Sequence, residues 1–345
     1  MRLRLNASRL SAVPRDALWR ENIAQSRFRA GRVGPIELAA PLCAINCMVL
    51  SSKTRLLLGC SVGLLVSPLG AQPARADDSA PALDKSAYSL FNPTPTDAMR
   101  AFEPERPAKI LNPFTVDAGH FQIESDFLSY THANVAGAGT TQFETADPTI
   151  KLGLTSSIDL ELDFYGYLTS ATHSNQTGGL IANGHGFGDT IIKTKINLVG
   201  NDGGDFAMAL VPFVKAPSAA PGLGNGVVEG GVALPMQINL PSDFVLALQT
   251  EYDILKNAND SQRYANLVNI ANLSHSLSFI SKDLSASIEF FSAVGTDPFT
   301  PAVYTLDLGL AYLIQPNVQV DAGANFGLTK ASPSLNLYTG VTTRF

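Results

Sequence analysis

The chain has 345 residues, of which 45% are hydrophobic and only 16% charged, with a formal net charge of −6. No uncharged apolar run reaches the roughly 18 residues a membrane-spanning helix needs, so a polytopic helical protein is excluded. The composition is also unlike that of a disordered, collagen-like or coiled-coil chain.

The charge is unevenly placed. Residues 1–76 carry 11 Lys/Arg against 3 Asp/Glu, and residues 77–345 carry 13 against 27. Cys43, Cys47, Cys60 and Trp19 all lie in the basic front part. The acidic remainder has no basic patch, which argues against nucleic acid as a partner. Neither the Cys43/Cys47 spacing nor the five scattered histidines has the neighbours a metal site requires, so no metal and no cofactor is expected.

Residues 48–76 have the order of a secretory signal: basic Lys53 and Arg55, an apolar stretch from Leu56 to Val66, and Ala74-Arg75-Ala76 at the cleavage position. Met48 would start that leader, which makes residues 1–47 an upstream extension from a misassigned start, the alternative being a real Arg-rich, acid-poor targeting extension. The expected mature chain begins near Asp77, holds no cysteine, and needs another means of holding itself together after export. Residues 77–113 are proline-rich without sustained alternation and read as an irregular periplasmic segment.

From Phe114 the pattern changes to period two. Ile158-Asp-Leu-Glu-Leu-Asp-Phe164 alternates apolar and acidic residues, which a 3.6-residue period would scatter around a helix. The same rhythm recurs to the end of the chain and yields twelve strands. Residues 263–280 are ambiguous, because Val268 and Ile270 favour one face and Leu273 and Leu277 the other, so a bulge is expected there. Short connections (155–157, 199–204, 240–242, 281–283, 314–317) alternate with longer ones (131–147, 170–187, 216–226, 256–262, 295–302, 328–334). An even strand count with this loop asymmetry predicts an all-β fold over residues 114–345: a closed antiparallel transmembrane β-barrel of about 12 strands, of the outer-membrane type. A soluble sandwich would leave sheet edges open, whereas closure satisfies the backbone groups that hydrocarbon cannot.

Alternation assigns one charged set to the lumen: Glu124, Asp126, Lys151, Asp159, Glu161, Asp163, Lys193, Lys195, Glu229, Glu251, Asp307 and Asp321, together with Asp253 and Glu289. Pairing across the turn at 155–157 sets Lys151 about opposite Glu161. Such a set either fills and stiffens a narrow lumen or provides a field that selects permeating solutes. The last strand ends in Tyr338-Thr-Gly-Val-Thr-Thr-Arg-Phe345, and Tyr338 with Phe345 resembles the C-terminal signal read by the outer-membrane insertion machinery. Gly184-His-Gly-Phe-Gly-Asp189 precedes a strand and not a helix, so it turns the backbone and does not cradle phosphate. His275 lies near Ser274, Ser276 and Ser278, but alternation sets Ser274 and Ser276 on the opposite face, and no catalytic residue is assigned.

Several blocks resemble a known family. Glu105-Arg-Pro107, then Pro113-Phe-Thr-Val-Asp-Ala-Gly-His-Phe-Gln-Ile-Glu124, looks like the opening strand of the outer-membrane transporter family named for the meta-pathway of phenol degradation. Gly186-Phe-Gly-Asp-Thr190, Pro212-Phe-Val-Lys-Ala-Pro217, Glu229-Gly-Gly231 and Leu234-Pro235 are similar to its internal blocks. Leu306-Asp-Leu-Gly-Leu-Ala-Tyr312, Asp321-Ala-Gly323, Gly327-Leu-Thr329 and Thr343-Arg-Phe345 are similar to its closing hairpin. The departure is Ala108-Lys-Ile-Leu-Asn-Pro113, which gives no support to a plug or contact role for that stretch. The resemblance implies an outer-membrane pore or transporter, and the family's name implies aromatic solutes.

The expectation is a bacterial outer-membrane barrel that passes small, aromatic or hydrophobic solutes. Its partners are the lipid bilayer, the insertion machinery and the solute, and its oligomeric state is open. Loops 131–147 and 170–187 are the expected constriction or gate. The alternatives are a barrel hydrolase and a plugged structural or adhesive barrel.

Overall fold

The computed structural model describes residues 84–135, 137–257, 262–298 and 300–345. The readings of residues 1–47 and 48–76, and of 77–83 in the lead-in, fall outside the described residues.

Alternating side chains and backbone pairing produce fifteen strand segments. The first seven are β1 (Phe121–Val135), β2 (Ala138–Thr145), β3 (Thr149–Gly153), β4 (Ile158–Phe164), β5 (Tyr167–Ser174), β6 (Leu180–Phe187) and β7 (Thr190–Val199). There follow β8 (Phe206–Ala216), β9 (Glu229–Leu240), β10 (Phe244–Lys256) and β11 (Arg263–Ser276). The last four are β12 (Leu284–Gly295), β13 (Val303–Gln315), β14 (Val318–Gly327) and β15 (Leu335–Arg344).

Three pairs, β2/β3, β4/β5 and β6/β7, are single wall strands interrupted near residues 146–148, 165–166 and 188–189. The wall therefore has twelve strands, all antiparallel, and β15 pairs back onto β1 from Gln122↔Arg344 to His132↔Leu335. Closure leaves no open edge where the twelve meet. At the seam Phe121 and Phe345 exchange backbone hydrogen bonds, and their rings stack at 4.7 Å.

The two faces differ as the alternation requires. On β13, Leu306, Leu308, Leu310 and Tyr312 are 36–51% exposed, while Thr305 and Asp307 are 0% and 4% exposed. Apolar rows outside and charged rows inside mean that hydrocarbon, not a second sheet, covers the outer wall. A charge on that outer wall would cost about 2–4 kcal/mol at the bilayer midplane.

The structure corrects two expectations. Residues 131–147 and 170–187 are not long loops: the chain runs as β1–β2 and β5–β6, with Gly137 just before β2 and a turn over 175–177, so both hairpins extend the wall. No bulge occurs in β11, whose register with β10 and β12 runs unbroken. Register shifts fall instead at Asp126/Leu128, Thr172/His173, Asn197/Val199 and Leu313/Gln315.

The interruption between β2 and β3 has a local cause. Pro148 has no N–H to give to a ladder. Asp147 compensates by accepting the backbone N–H of Asp126 at 2.7 Å, so a carboxylate replaces a carbonyl where water is scarce.

Candidate functional site

Residues 84–119 are irregular apart from one 3-10 turn at Thr96–Ala98, and their contacts carry them across the inner face of the wall. This lead segment therefore has an inside position that alternation could not reveal. Its charged side chains meet the assigned inward set one after another.

Arg106 lies between β1 and β14. Its guanidinium donates through Nε at 3.0 Å and Nη2 at 2.7 Å to the two oxygens of Asp321, and its Nη1 faces Asp126. That two-point grip fits a planar fork. A Cβ at position 340 would lie 2.3 Å from Arg106 Nη2, so Gly340 is what lets the guanidinium reach the wall. The neighbouring Pro107 carbonyl accepts the Tyr338 hydroxyl at 2.5 Å.

Glu105 reaches the opposite flank and meets both Lys151 (2.7 Å) and Lys195 (2.5 Å). The register does set Lys151 opposite Glu161, but Lys151 Nζ bonds Glu105 and Glu124. Glu161 instead faces Lys195 (2.9 Å) and Lys193 (3.3 Å), and Asp163 faces Lys193 at 3.0 Å. Asp159 accepts the Val116 N–H at 2.9 Å. Farther along, Lys109 Nζ bonds Asp307 at 2.7 Å while its backbone N–H bonds Glu289 at 3.0 Å. Leu111 donates its N–H to Gln249 at 2.9 Å. Glu229 is paired with Lys215 at 3.1 Å, and Glu251 accepts from Gln249 at 2.9 Å.

The charged residues chosen from the sequence are thus buried, and most are engaged by the lead or by one another. Tyr338 is turned inward onto Pro107, so its side chain is occupied in holding the lead, whereas Phe345 is exposed at the seam.

Beside the lead is a small cavity of about 50 Å³. Ile191, Phe213, Leu255, Val268, Ile270 and Phe291 give it apolar walls, with Lys193, Lys215, Glu229 and Glu251 among them. These apolar side chains were missed because alternation sends every apolar residue outward. A signal existed: Ile191-Ile192, Phe213-Val214 and Phe290-Phe291 put two apolar residues side by side where one must face in. Ile110 of the lead packs on the same wall, against Val268, Ile270 and Phe291. The face ambiguity of residues 263–280 was this apolar patch.

At the short-turn end a second charge group ties the lead to the rim. Asp117 faces Arg100 at 3.2 Å and Lys85 at 3.5 Å, and Asp202 meets the same two cations at 2.9 and 3.1 Å. Burial raises the Asp202 carboxyl, but hydrogen bonds and charge from Arg100 and Lys85 outweigh it and hold the group below its ordinary range. Glu103 moves the other way: burial pushes it up against the opposing pull of Arg344. His275 packs on Phe244 at 4.2 Å with Nε2 3.1 Å from the Ser242 carbonyl.

A closed twelve-stranded barrel, apolar outside and charged inside, is a bacterial outer-membrane protein. The family model described as "Putative MetA-pathway of phenol degradation" matches residues 105–345, and the chain belongs to that family. Among solved structures, an outer membrane channel from Pseudomonas putida F1 is 12% identical with a TM-score of 0.45, over 70% of this chain and 100% of that one. The NanC porin is 9% identical (TM-score 0.40, 65% and 98%), and the KdgM porin 13% identical (TM-score 0.38, 63% and 98%). A comparison with curated proteins finds no match.

Proposed function

We propose that the barrel conducts small apolar or aromatic solutes across the outer membrane, with the lead segment as an internal plug. The observation that carries this is the cavity between lead and wall. A lumen built only to be stiffened needs ion pairs and close packing, yet here six apolar side chains line open space within an otherwise charged interior. Apolar walls carrying a few polar groups are the kind of lining that suits a small organic ligand. The charged set supplies a second property, because nine of its twelve members are carboxylates. Inward charge of one sign favours cations.

The competing reading is a static plugged barrel, and the ion pairs of Glu105, Arg106 and Lys109 favour it. Planar-bilayer recording decides between them. The expected result is small current steps in potassium chloride, cation-preferring, and interrupted by benzylamine, which joins an aromatic ring to a positive charge. Absence of steps and of block at every voltage would establish the static plug.

A further inference from the structure

The connection 217–228 between β8 and β9 does not stand out from the rim. Leu223 is buried on the inner face of the β5–β6 hairpin against Leu168, with Ala219 and Ala220 packed alongside. The recess it enters is made of glycines. A Cβ at Gly184 would lie 3.2 Å from Leu223 Cδ2, and one at Gly186 would lie 2.6 Å from Ala220 Cβ and 3.2 Å from Leu223 Cδ1. Any side chain at either position would compete with the loop for that space. The Gly-rich run before Asp189 therefore makes a seat.

Asp189 fastens the root of the loop. It accepts the Ala219 N–H at 2.9 Å and the Lys215 ammonium at 3.0 Å, and Lys215 also donates to Asn225 at 2.7 Å. The strand residues that flank the loop, Lys215 near the end of β8 and Glu229-Gly230 at the start of β9, line the apolar cavity. Gly222 and Gly226 bracket the seated residue with φ of +84° and +69°, turn conformations that glycine reaches without the cost of a Cβ. The β6 edge beside it has no strand partner in the sheet order and meets the loop through one backbone hydrogen bond, Ala220 N–H to the Phe187 carbonyl at 2.9 Å, so lifting the loop breaks that bond and not a full ladder.

We propose that residues 217–228 are a hinged lid over the cavity, latched by Leu223 in the glycine recess of β6. Opening exposes the cavity to the long-loop side, and closure seals it. The proposal rests on the cavity being the solute's place, and the test separates the two ideas. Leu255 lines the cavity and belongs to neither lid nor lead, so Leu255→Cys in the full-length, purified barrel, with Cys43, Cys47 and Cys60 replaced by serine, reports access by its rate of labelling with a charged thiol reagent.

Two changes weaken the latch from opposite sides: Leu223→Ala removes it, and Gly184→Val fills its seat. Both should speed labelling by about tenfold, within the usual range of coupling between sites. Unchanged labelling in Leu223→Ala and in Gly184→Val, with both barrels folded, would overturn the lid. Faster labelling in barrels whose native parent shows no benzylamine block would retire the transport reading and leave the lid standing.

Discussion

Arg106 joins the two sides of the closing seam, since Asp126 belongs to β1 and Asp321 to β14. Removing it would leave two buried carboxylates without that cation, a loss of about 3–5 kcal/mol for a broken buried pair. Arg106→Ala is expected to lower the thermal midpoint in detergent and to raise open-channel current as the lead loosens. Arg106→Lys should recover little of either, because one ammonium cannot reproduce the fork on Asp321. Equal melting curves for native protein and Arg106→Ala would show that the lead is held elsewhere.

Asp202 gives a prediction in pH. Its folded-state carboxyl is depressed, so its stabilising pull on Arg100 and Lys85 is fully present above the ordinary carboxylate range and fades as pH falls through the depressed value. Below about pH 3.9 the short-turn end of the lead should become more open to protease, starting from the unshifted aspartate value. Asp202→Asn should flatten that dependence, and limited proteolysis across pH 2.5–6 checks it.

Among the elements, the lead is irregular because it makes its backbone hydrogen bonds to side chains of the wall. Glu124, Glu289, Gln249 and Asp159 accept N–H groups from Arg106, Lys109, Leu111 and Val116. A strand there would need a neighbour the closed wall cannot supply. Deleting residues 103–113 should therefore leave the barrel folded, with a current several-fold larger, since the wall closes on its own twelve strands. Loss of the folded barrel in that deletion would mean the lead is part of its core.

β11 shows why one-dimensional pattern falters beside a cavity. Its alternation is intact, with Asn266, Val268, Ile270 and Asn272 inside and Leu267, Asn269, Ala271 and Leu273 outside. Both faces carry apolar residues there, so hydrophobicity alone could not say which was which. The expected loops became wall for a related reason: hairpins β1–β2 and β5–β6 are polar enough to read as loops, but their strands pair, the second with one register shift at Thr172/His173.

For the whole molecule, the excess of carboxylates inside the wall survives the entry of the lead, whose residues 103–117 add three acids against two bases. Reversal potentials under a potassium chloride gradient should then lie on the cation side, and Glu251→Gln, at the cavity, should move them toward zero by a few millivolts. Potentials on the anion side would show that the lysines of the cavity dominate the field. Phe345 stacks on Phe121 where the ring closes, and we propose that it is the residue read at insertion. Phe345→Ala is expected to reduce assembled barrel in the outer membrane more than Tyr338→Phe does.

The sequence by itself determined the twelve-stranded wall, its inside-out polarity and its family, because strand alternation and turn spacing are local and survive in one dimension. Only the tertiary structure decided what fills the lumen. The partners of Arg106 and Lys109 lie some 200 residues away, at Asp321 and Asp307. A cavity lined from all six strands β7 to β12 exists only once the sheet has curled shut. The seat for Leu223 is an absence of side chains on another strand, which no pattern along 217–228 can announce.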